Sequence, residues 1–408
     1  MKLYHRETYL AKIRGFYKDD MIKVITGIRR CGKSCFLKSI IEELVKSGIK
    51  EKDIIYLELD KRGYKGINTP EKLENAIDSL IKDKDYKYLF IDEIQNVKGY
   101  EEVVNAYREE GNFSIFITGS NSYLLSGELM TKLTGRYIEI EMFPLNFYEY
   151  LDMKKFLKKP INPNLYVEMD SFIREGGFPK ALEYDNSEDK MSYVRNVVSQ
   201  IFEKDIHKNN KIRDEELFEE IQKFVVDNYS SKISITSIQK ELKKRGVSVE
   251  RKTIKRYVDL LVKAKIIYSC ERFDIKSKKS VFGGEKKYYL SDLSIYFALS
   301  TDSRINYGPS LENIAFTYLK SKGYQISFGS IGELEIDFIA RKDFQDYYYV
   351  QVSRSLIDEN TAEREYRPFY KIKDLHPCYI LTMDPLPGQK DGIKELNILD
   401  FMSKNSVL

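Results

Sequence analysis

Residues 27–34 of this 408-residue chain read GIRRCGKS, its most informative segment. Its two glycines, lysine and hydroxyl have the spacing G-x-x-x-x-G-K-[ST] of a phosphate-binding loop. The preceding MIKVIT is a β-branched apolar run, and apolar residues recur at helical spacing from Phe36 to Val45. A strand, a glycine-rich turn and a helix point backbone N–H groups and a helix N-terminus at a phosphate. The sequence therefore predicts an α/β domain that binds a nucleotide.

Within the loop, Lys33 is expected to reach the β- and γ-phosphates, and Ser34 to offer its hydroxyl to Mg²⁺. The predicted cofactors are therefore ATP and Mg²⁺. The predicted nucleotide-binding residues are Gly27, Ile28, Arg29, Arg30, Cys31, Gly32, Lys33, Ser34 and Cys35 of the loop region, with Asn121 from a later strand end.

A second part of the site is predicted where YKYLFIDE, residues 86–93, ends an apolar strand in two carboxylates. Asp92 is suited to hold Mg²⁺, and Glu93 to orient and deprotonate the attacking water. Glu93 and Lys33 are thus the predicted catalytic residues. Downstream of a phosphate loop, this pattern predicts hydrolysis of ATP as well as binding.

A third strand, SIFITGSN at residues 114–121, ends in small polar residues. Thr118, Ser120 or Asn121 could sense the γ-phosphate, and the alternative is a turn that caps the strand. We favour sensing because active groups gather at the carboxyl ends of parallel strands.

Five stretches together resemble the prokaryotic AAA-type ATPases that carry a C-terminal domain of unknown function: GIRRCGKS, FIDEIQNV, ITGSNSYLLS, LTGRYIEIEMFPL and EGGFPKAL. The resemblance covers nearly the whole chain and is weaker over the last third. It implies that Arg136, in the Gly-Arg pair of LTGR, stabilises charge in cis or in trans. An arginine in that role contributes roughly 10³–10⁵ in rate. Without the resemblance, a single arginine at a strand start indicates only a surface position.

Composition favours a soluble cytoplasmic protein with several domains. Hydrophobic residues make up 42% and charged residues 32%, enough for packed cores and a solvated surface. The four cysteines and three histidines lack metal-ligand spacing, which favours a reducing compartment and no zinc site. The charged N-terminus does not resemble a signal peptide, and no apolar run reaches membrane-spanning length, so no membrane partner is expected.

Breaks in the sequence pattern predict four regions. Residues 1–165 form the P-loop domain, and residues 166–214 form a helical lid over the nucleotide. Residues 215–292 have the pattern of a winged helix-turn-helix, with two amphipathic helices followed by two strands and a wing between them. Residues 293–408 form a last α/β domain.

The winged-helix region carries most of the positive charge. From Lys232 to Lys287 there are 17 Lys and Arg against 6 Asp and Glu, so 17 − 6 = +11, whereas the whole chain has +4. Such focused charge indicates a nucleic-acid surface, and the alternative is a spacer with a solvated basic face. The predicted DNA-binding residues are Arg251, Lys252, Lys255 and Arg256 on the second helix and Lys278 in the wing, beside Lys276 and Lys279.

The last region resembles the restriction-endonuclease-like fold. Glu312 on a helix and Asp337 on a strand match two acidic positions of its metal site, whereas Gln351 and Ser353 replace a carboxylate and a lysine. Metal-assisted cleavage needs those charged groups. We favour an inactive binding or assembly module over a nuclease. Glu335, on the strand face of Asp337, is the group that could compensate for Gln351.

These observations predict an ATP-hydrolysing molecular switch coupled to DNA binding. Two alternatives stay open: a nucleotide-regulated module that recruits a protein partner with little turnover, and an ATP-gated, metal-dependent nuclease. ATP and DNA are the expected partners, with a protein partner and a homo-oligomer as further possibilities.

Overall fold

The protein is described by a computed structural model over residues 2–119, 133–207, 212–281, 283–342 and 347–403. The chain divides into two compact units, Met1–Pro144 and Leu145–Leu408. The four predicted regions stay a prediction. The helix at residues 147–156, which the sequence assigned to the P-loop domain, lies in the second unit.

Over its described residues, the first unit contains five strands and four α-helices. The strands are β1 (Ile22–Gly27), β2 (Ile54–Glu58), β3 (Lys87–Asp92), β4 (Phe113–Thr118) and β5 (Tyr137–Met142). The helices are α1 (Glu7–Ile13), α2 (Lys33–Lys46), α3 (Pro70–Asp78) and α4 (Tyr100–Glu109). All five strands are parallel, in the order β2-β3-β4-β1-β5. This confirms the α/β P-loop fold class.

The sheet is buried on both faces in its centre. Every residue of β1, β3 and β4 is buried, as expected for central parallel strands covered by helices. Their carboxyl ends bring Gly27, Asp92 and Thr118 to one edge of the sheet. The sequence therefore predicted correctly which strand ends meet.

The described part of the second unit begins with three helices and continues with seven more. They are α5 (Phe147–Phe156), α6 (Leu165–Glu175), α7 (Ser187–Gln200), α8 (Glu215–Asp227), α9 (Ile235–Lys244), α10 (Arg251–Lys263), α11 (Ser294–Leu299), α12 (Tyr307–Ser321), α13 (Glu359–Tyr366) and α14 (Ile398–Ser403). A π-helical turn, Ile201–Ile206, extends α7. Over the described residues of both units, every helix is too short or too polar to cross a membrane.

Ten described strands of the second unit form one mixed sheet. They are β6 (Lys232–Ile233), β7 (Ile267–Asp274), β8 (Lys279–Ser280), β9 (Lys286–Leu290), β10 (Gln325–Ile331), β11 (Leu334–Arg341), β12 (Tyr347–Val352), β13 (Cys378–Thr382), β14 (Gln389–Lys390) and β15 (Ile393–Asn397). Their order is β14-β15-β13-β12-β11-β10-β7-β9-β6, and β8 pairs with β7.

The long strand β7 joins the basic region to the last α/β region. Its first half pairs with β9, from Ile267 to Cys270, and its second half pairs in parallel with β10, from Glu271 to Asp274. The predicted boundary at residue 292 therefore does not separate two sheets. Local sequence could not reveal that one sheet spans both regions, because periodicity predicts a strand but not which neighbouring strand pairs with its backbone.

Candidate functional site

The GIRRCGKS loop leaves β1 through a backbone that only glycine accommodates. Gly27 has φ 138°, and a Cβ on it would lie 2.2 Å from the carbonyl oxygen of Met142. Gly32 has φ 106° and is the N-cap residue of α2. It has no side chain to bond the N–H groups of the first helical turn, and these are donors that suit a phosphate.

Lys33 lies at the centre of the loop. Its ammonium donates to the carbonyl oxygens of Gly27 at 2.9 Å and Ile28 at 3.2 Å, and the residue is only 7% exposed. The lysine thus holds the loop in a curved shape, with its charge inside the curve. An anion inside this loop would meet a buried positive charge and a helix N-terminus together.

The other side chains in and beside the loop differ in their exposure to solvent. Ile28 and Cys31 are buried, and burial raises the pKa of the Cys31 thiol. Arg30 and Cys35 are exposed, and Arg29 is half-buried. Ile28 and Cys31 can therefore serve a phosphate only through their backbone.

Asp92 and Ser34 meet beside Lys33. Burial raises the pKa of the Asp92 carboxyl, whereas hydrogen bonds from Thr118 and Ser34 lower it, as does the nearby Lys33 charge. Hydroxyl and carboxylate oxygens are hard donors of the kind that Mg²⁺ prefers. The predicted metal pair, Ser34 and Asp92, thus fits this ion by its chemistry.

Glu93 has a strained backbone at the end of β3. Its φ of 59° and ψ of 46° are left-handed, which costs a non-glycine residue on the order of 1–3 kcal/mol. Its carboxylate accepts a hydrogen bond from the Gln95 amide. Such strain is common where a functional group must be aimed.

Thr118 connects the two carboxylate residues. Its hydroxyl donates to Asp92 and accepts from the backbone N–H of Glu93 at 3.1 Å. Thr118, one of the predicted γ-phosphate sensors, thus positions Asp92 and Glu93. Ser120 and Asn121 lie outside the described residues.

Arg136 lies at the opposite end of the sheet from the loop. It precedes β5, and its carbonyl oxygen accepts from the N–H of Ile22 at the start of β1. β1 and β5 are parallel, with Ile22 beside Tyr137 and Gly27 beside Met142. Five residues of strand separate the two ends by roughly 17 Å. A role in cis is therefore wrong on geometric grounds, and the trans alternative stays a prediction.

Arg6 is a residue that the sequence analysis missed. Its guanidinium is buried and donates to the carbonyl oxygens of Cys31 at 3.3 Å, Phe143 at 2.6 Å and Pro144 at 3.2 Å. It ties the phosphate loop to the last residues of the first unit. No spacing signal marks it, because an arginine in a charged N-terminal stretch normally indicates a surface side chain.

The basic surface forms on α10 and the β7–β8 turn. Ile254, Val258 and Leu261 are buried on one side of α10. The predicted DNA-binding residues Arg251, Lys252, Lys255, Arg256 and Lys278 are all exposed, as are Lys276 and Lys279. Arg251 also donates to the Gln239 amide oxygen at 3.0 Å. The sequence thus predicted the exposed face of this helix correctly.

Two lysines of the +11 segment form ion pairs with acids outside it. Lys286 pairs at 2.6 Å with Glu271, which the count already subtracts, whereas Lys232 pairs with Glu335, which the count does not include. Lys287 is buried and pairs with three carboxylates. Part of the local charge is therefore internal, and the count from sequence overstates the charge available to a partner.

The nuclease-like positions assemble around Lys287. Glu312 and Asp337 both contact its ammonium, and the Gln351 amide oxygen accepts from the Asp337 N–H at 3.1 Å. The Ser353 hydroxyl bonds instead to the Ser355 carbonyl oxygen. The expectation that this site lacks a lysine is therefore wrong, since β9 supplies one that strand-by-strand matching could not find.

Burial and the charges of neighbouring groups together set the protonation of this cluster. Burial raises the pKa of Glu312 to about 8, with the Asp337 charge adding to the effect, and it raises the pKa of Asp337. Burial lowers the pKa of Lys287, but the charges of Glu312, Asp337 and Glu335 outweigh it and hold that pKa well above its usual value. Lys287 is therefore charged.

Comparisons with known proteins identify the family of the chain. An AAA domain family matches residues 19–151, and a domain of unknown function, DUF8612, matches residues 168–305. An uncharacterized protein of Haemophilus influenzae is 33% identical over 97% of this chain and 98% of its own length. An uncharacterized protein of Methanocaldococcus jannaschii is 31% identical over 87% of this chain and 80% of its own.

One solved structure also shares the fold. A Walker-type ATPase of Pyrococcus abyssi aligns with a TM-score of 0.52 at 15% identity, over 73% of this chain and 96% of that one. At this identity the likeness concerns the fold alone.

Proposed function

The chain belongs to the family of AAA-type P-loop ATPases that carry a C-terminal domain of unknown function. We propose that it is an ATP-hydrolysing molecular switch coupled to DNA binding. The observation that carries the proposal is that Lys33, Ser34 and Asp92 lie together at the carboxyl ends of the parallel strands. There a phosphate-binding loop lies beside the hard oxygen ligands that suit a metal ion.

Each residue of the site has a distinct task. Lys33 exchanges its bonds to the loop carbonyls for the β- and γ-phosphates, and Ser34 and Asp92 would hold Mg²⁺. That ion would neutralise charge that develops on the phosphoryl oxygens. Glu93 orients the attacking water and accepts its proton, and Thr118 keeps Glu93 and Asp92 in register.

The DNA side of the proposal rests on charge and on the order of elements. The order of elements α8, β6, α9, α10, β7 and β9, with β6 and β7 flanking β9, supports a winged helix, in which α10 would be the recognition helix. The first two turns of α10 present four exposed cations. Phosphate contacts from such a face give affinity without sequence specificity.

The first experiment separates binding from chemistry at the ATP site. Lys33→Ala should lose nucleotide affinity, because the cradle loses its buried charge. Glu93→Gln should keep ATP bound while turnover falls by a factor of about 10² or more, the usual contribution of a general base. The measurements are nucleotide affinity and phosphate release for both variants. Equal nucleotide affinity in the wild type and Lys33→Ala would remove the basis of the proposal.

A further inference from the structure

The carboxylate cluster of the last α/β region encloses a lysine. The Lys287 ammonium lies 2.6 Å from Glu335, 2.8 Å from Glu312 and 3.3 Å from Asp337, and its side chain is 5% exposed. A lysine buried this deeply is usually paired with opposite charge. Here three carboxylates from α12 and β11 converge on one ammonium group from β9.

The oxygens of these carboxylates also have other protein donors. Asp337 accepts from the Val352 N–H at 2.9 Å, and Glu312 accepts from the Tyr289 hydroxyl at 2.6 Å. Glu335 also pairs with Lys232 of β6. Every carboxylate of the cluster is thus held by Lys287 and by at least one further donor.

Gln351, at the position of a third metal ligand, is also held by hydrogen bonds. The Gln351 amide donates to the Glu365 carboxylate at 2.7 Å, while its oxygen accepts from the Asp337 N–H. Gln351 is thus fixed between β11 and α13 and cannot turn an oxygen toward a cation without breaking both bonds. A divalent ion at this place would also have to displace a charged lysine. The residues present do not fit a metal.

We propose that Lys287 is the resident cation of this cluster and holds the place that a divalent metal takes in the nuclease fold the region resembles. The cluster is a closed ionic junction rather than a cleavage site. Because Lys287 and Lys232 belong to β9 and β6, the junction fastens the strands of the basic region to α12 and β11. The junction forms whether or not the ATP site works as a switch.

The first test is Mn²⁺ binding to the full chain without nucleotide, measured by electron paramagnetic resonance for the wild type and Asp337→Asn. The same number of bound Mn²⁺ ions in both proteins is expected. Loss of a bound ion in Asp337→Asn would overturn the proposal and make the cluster a metal site.

The second test is stability. Lys287→Met leaves the buried Glu312 and Asp337 and the partly exposed Glu335 without their shared cation, so the melting temperature should fall by about 5–15 °C. Adding Glu335→Gln removes a carboxylate whose pKa the neighbouring lysines lower, and with it one of the unbalanced charges, and should restore part of this loss. Further loss in the double variant would contradict the proposal, because it would show that Lys287 does not balance the carboxylates.

A neighbouring lysine provides the matched control. Lys286 precedes Lys287 on β9 but pairs with Glu271 near the surface. Lys286→Met should shift the melting temperature by no more than about 2 °C, since partly exposed ion pairs contribute little. An equal loss in Lys286→Met and Lys287→Met would show a general sensitivity of β9 and would contradict the role assigned to Lys287.

Discussion

At the scale of single residues, Asp92 and Glu93 are neighbours in sequence with different surroundings. Asp92 ends a buried strand and accepts from Thr118, whereas Glu93 turns away in a left-handed conformation and bonds to Gln95. The strained turn after β3 separates the two carboxylates, so that one can hold a metal and the other can act on water. Thr118 fixes both, through its hydroxyl proton and its lone pair.

Thr118 therefore offers a test of positioning. Thr118→Val keeps the shape but removes the hydroxyl, so Asp92 loses a donor and the Glu93 N–H loses an acceptor. We expect a fall in turnover of about tenfold to a hundredfold with little change in ATP affinity, as for a group that acts through orientation. Thr118→Ser, which restores the hydroxyl, should recover most of the rate. Unchanged turnover in Thr118→Val would show that this hydroxyl does not matter for chemistry.

At the scale of secondary-structure elements, α10 carries the proposed DNA contacts. Replacing Arg251, Lys252, Lys255 and Arg256 with Ala should weaken DNA binding and flatten its salt dependence. For every phosphate that the variant no longer neutralises, the slope of log affinity against log salt should become shallower by about 0.9. The measurement is DNA affinity over a range of salt concentrations, with nucleotide affinity followed alongside.

A charge-matched variant provides the control for α10. Lys46, Lys50, Lys72 and Lys98 are exposed residues of the first unit, and replacing them with Ala removes the same charge. This variant should keep the salt slope of the wild type more closely than the α10 variant. Equal slopes in the two quadruple variants would show that net charge, and not α10, governs the interaction.

Local sequence predicted the elements better than their pairing. The GIRRCGKS loop and the Asp92 strand end were predictable because their chemistry depends on short spacing. The turn at Glu175, Gly176 and Gly177 could be recognised only by resemblance, because the contact that requires glycine there involves a residue far away in the chain. The Gly177 N–H donates to the buried Asp292 carboxylate at 2.7 Å, and a Cβ on Gly176 would lie 1.8 Å from that carboxylate. The role of Lys287 was missed for the same reason, because its partners come from two distant elements.

At the scale of the whole molecule, the position of Arg136 decides whether this arginine could act on the ATP site of a second copy. Arg136 lies away from the phosphate loop of its own chain and pairs at the surface with Glu109, at 3.8 Å. Such a pair contributes little stability, so breaking it on assembly would cost little. If Arg136 serves a second copy, the ATP site is complete only in an oligomer.

Mixing two inactive variants tests this arrangement. Lys33→Ala lacks nucleotide binding but retains Arg136, whereas Arg136→Ala retains the loop but lacks the arginine. In a mixed oligomer the first variant should supply Arg136 to the second, so phosphate release should rise above the mean of the separate variants. A mixture that shows only that mean would exclude the trans role.

The central claim of the proposed switch is that the nucleotide bound in the first unit controls the DNA-facing surface of the second. The most direct measurement is the DNA affinity of Glu93→Gln loaded with ATP or with ADP, followed over a range of salt concentrations. We predict that the two affinities differ by at least about fivefold, the lower end of ordinary coupling between sites. Identical affinities in both nucleotide states at every salt concentration would contradict the proposed switch.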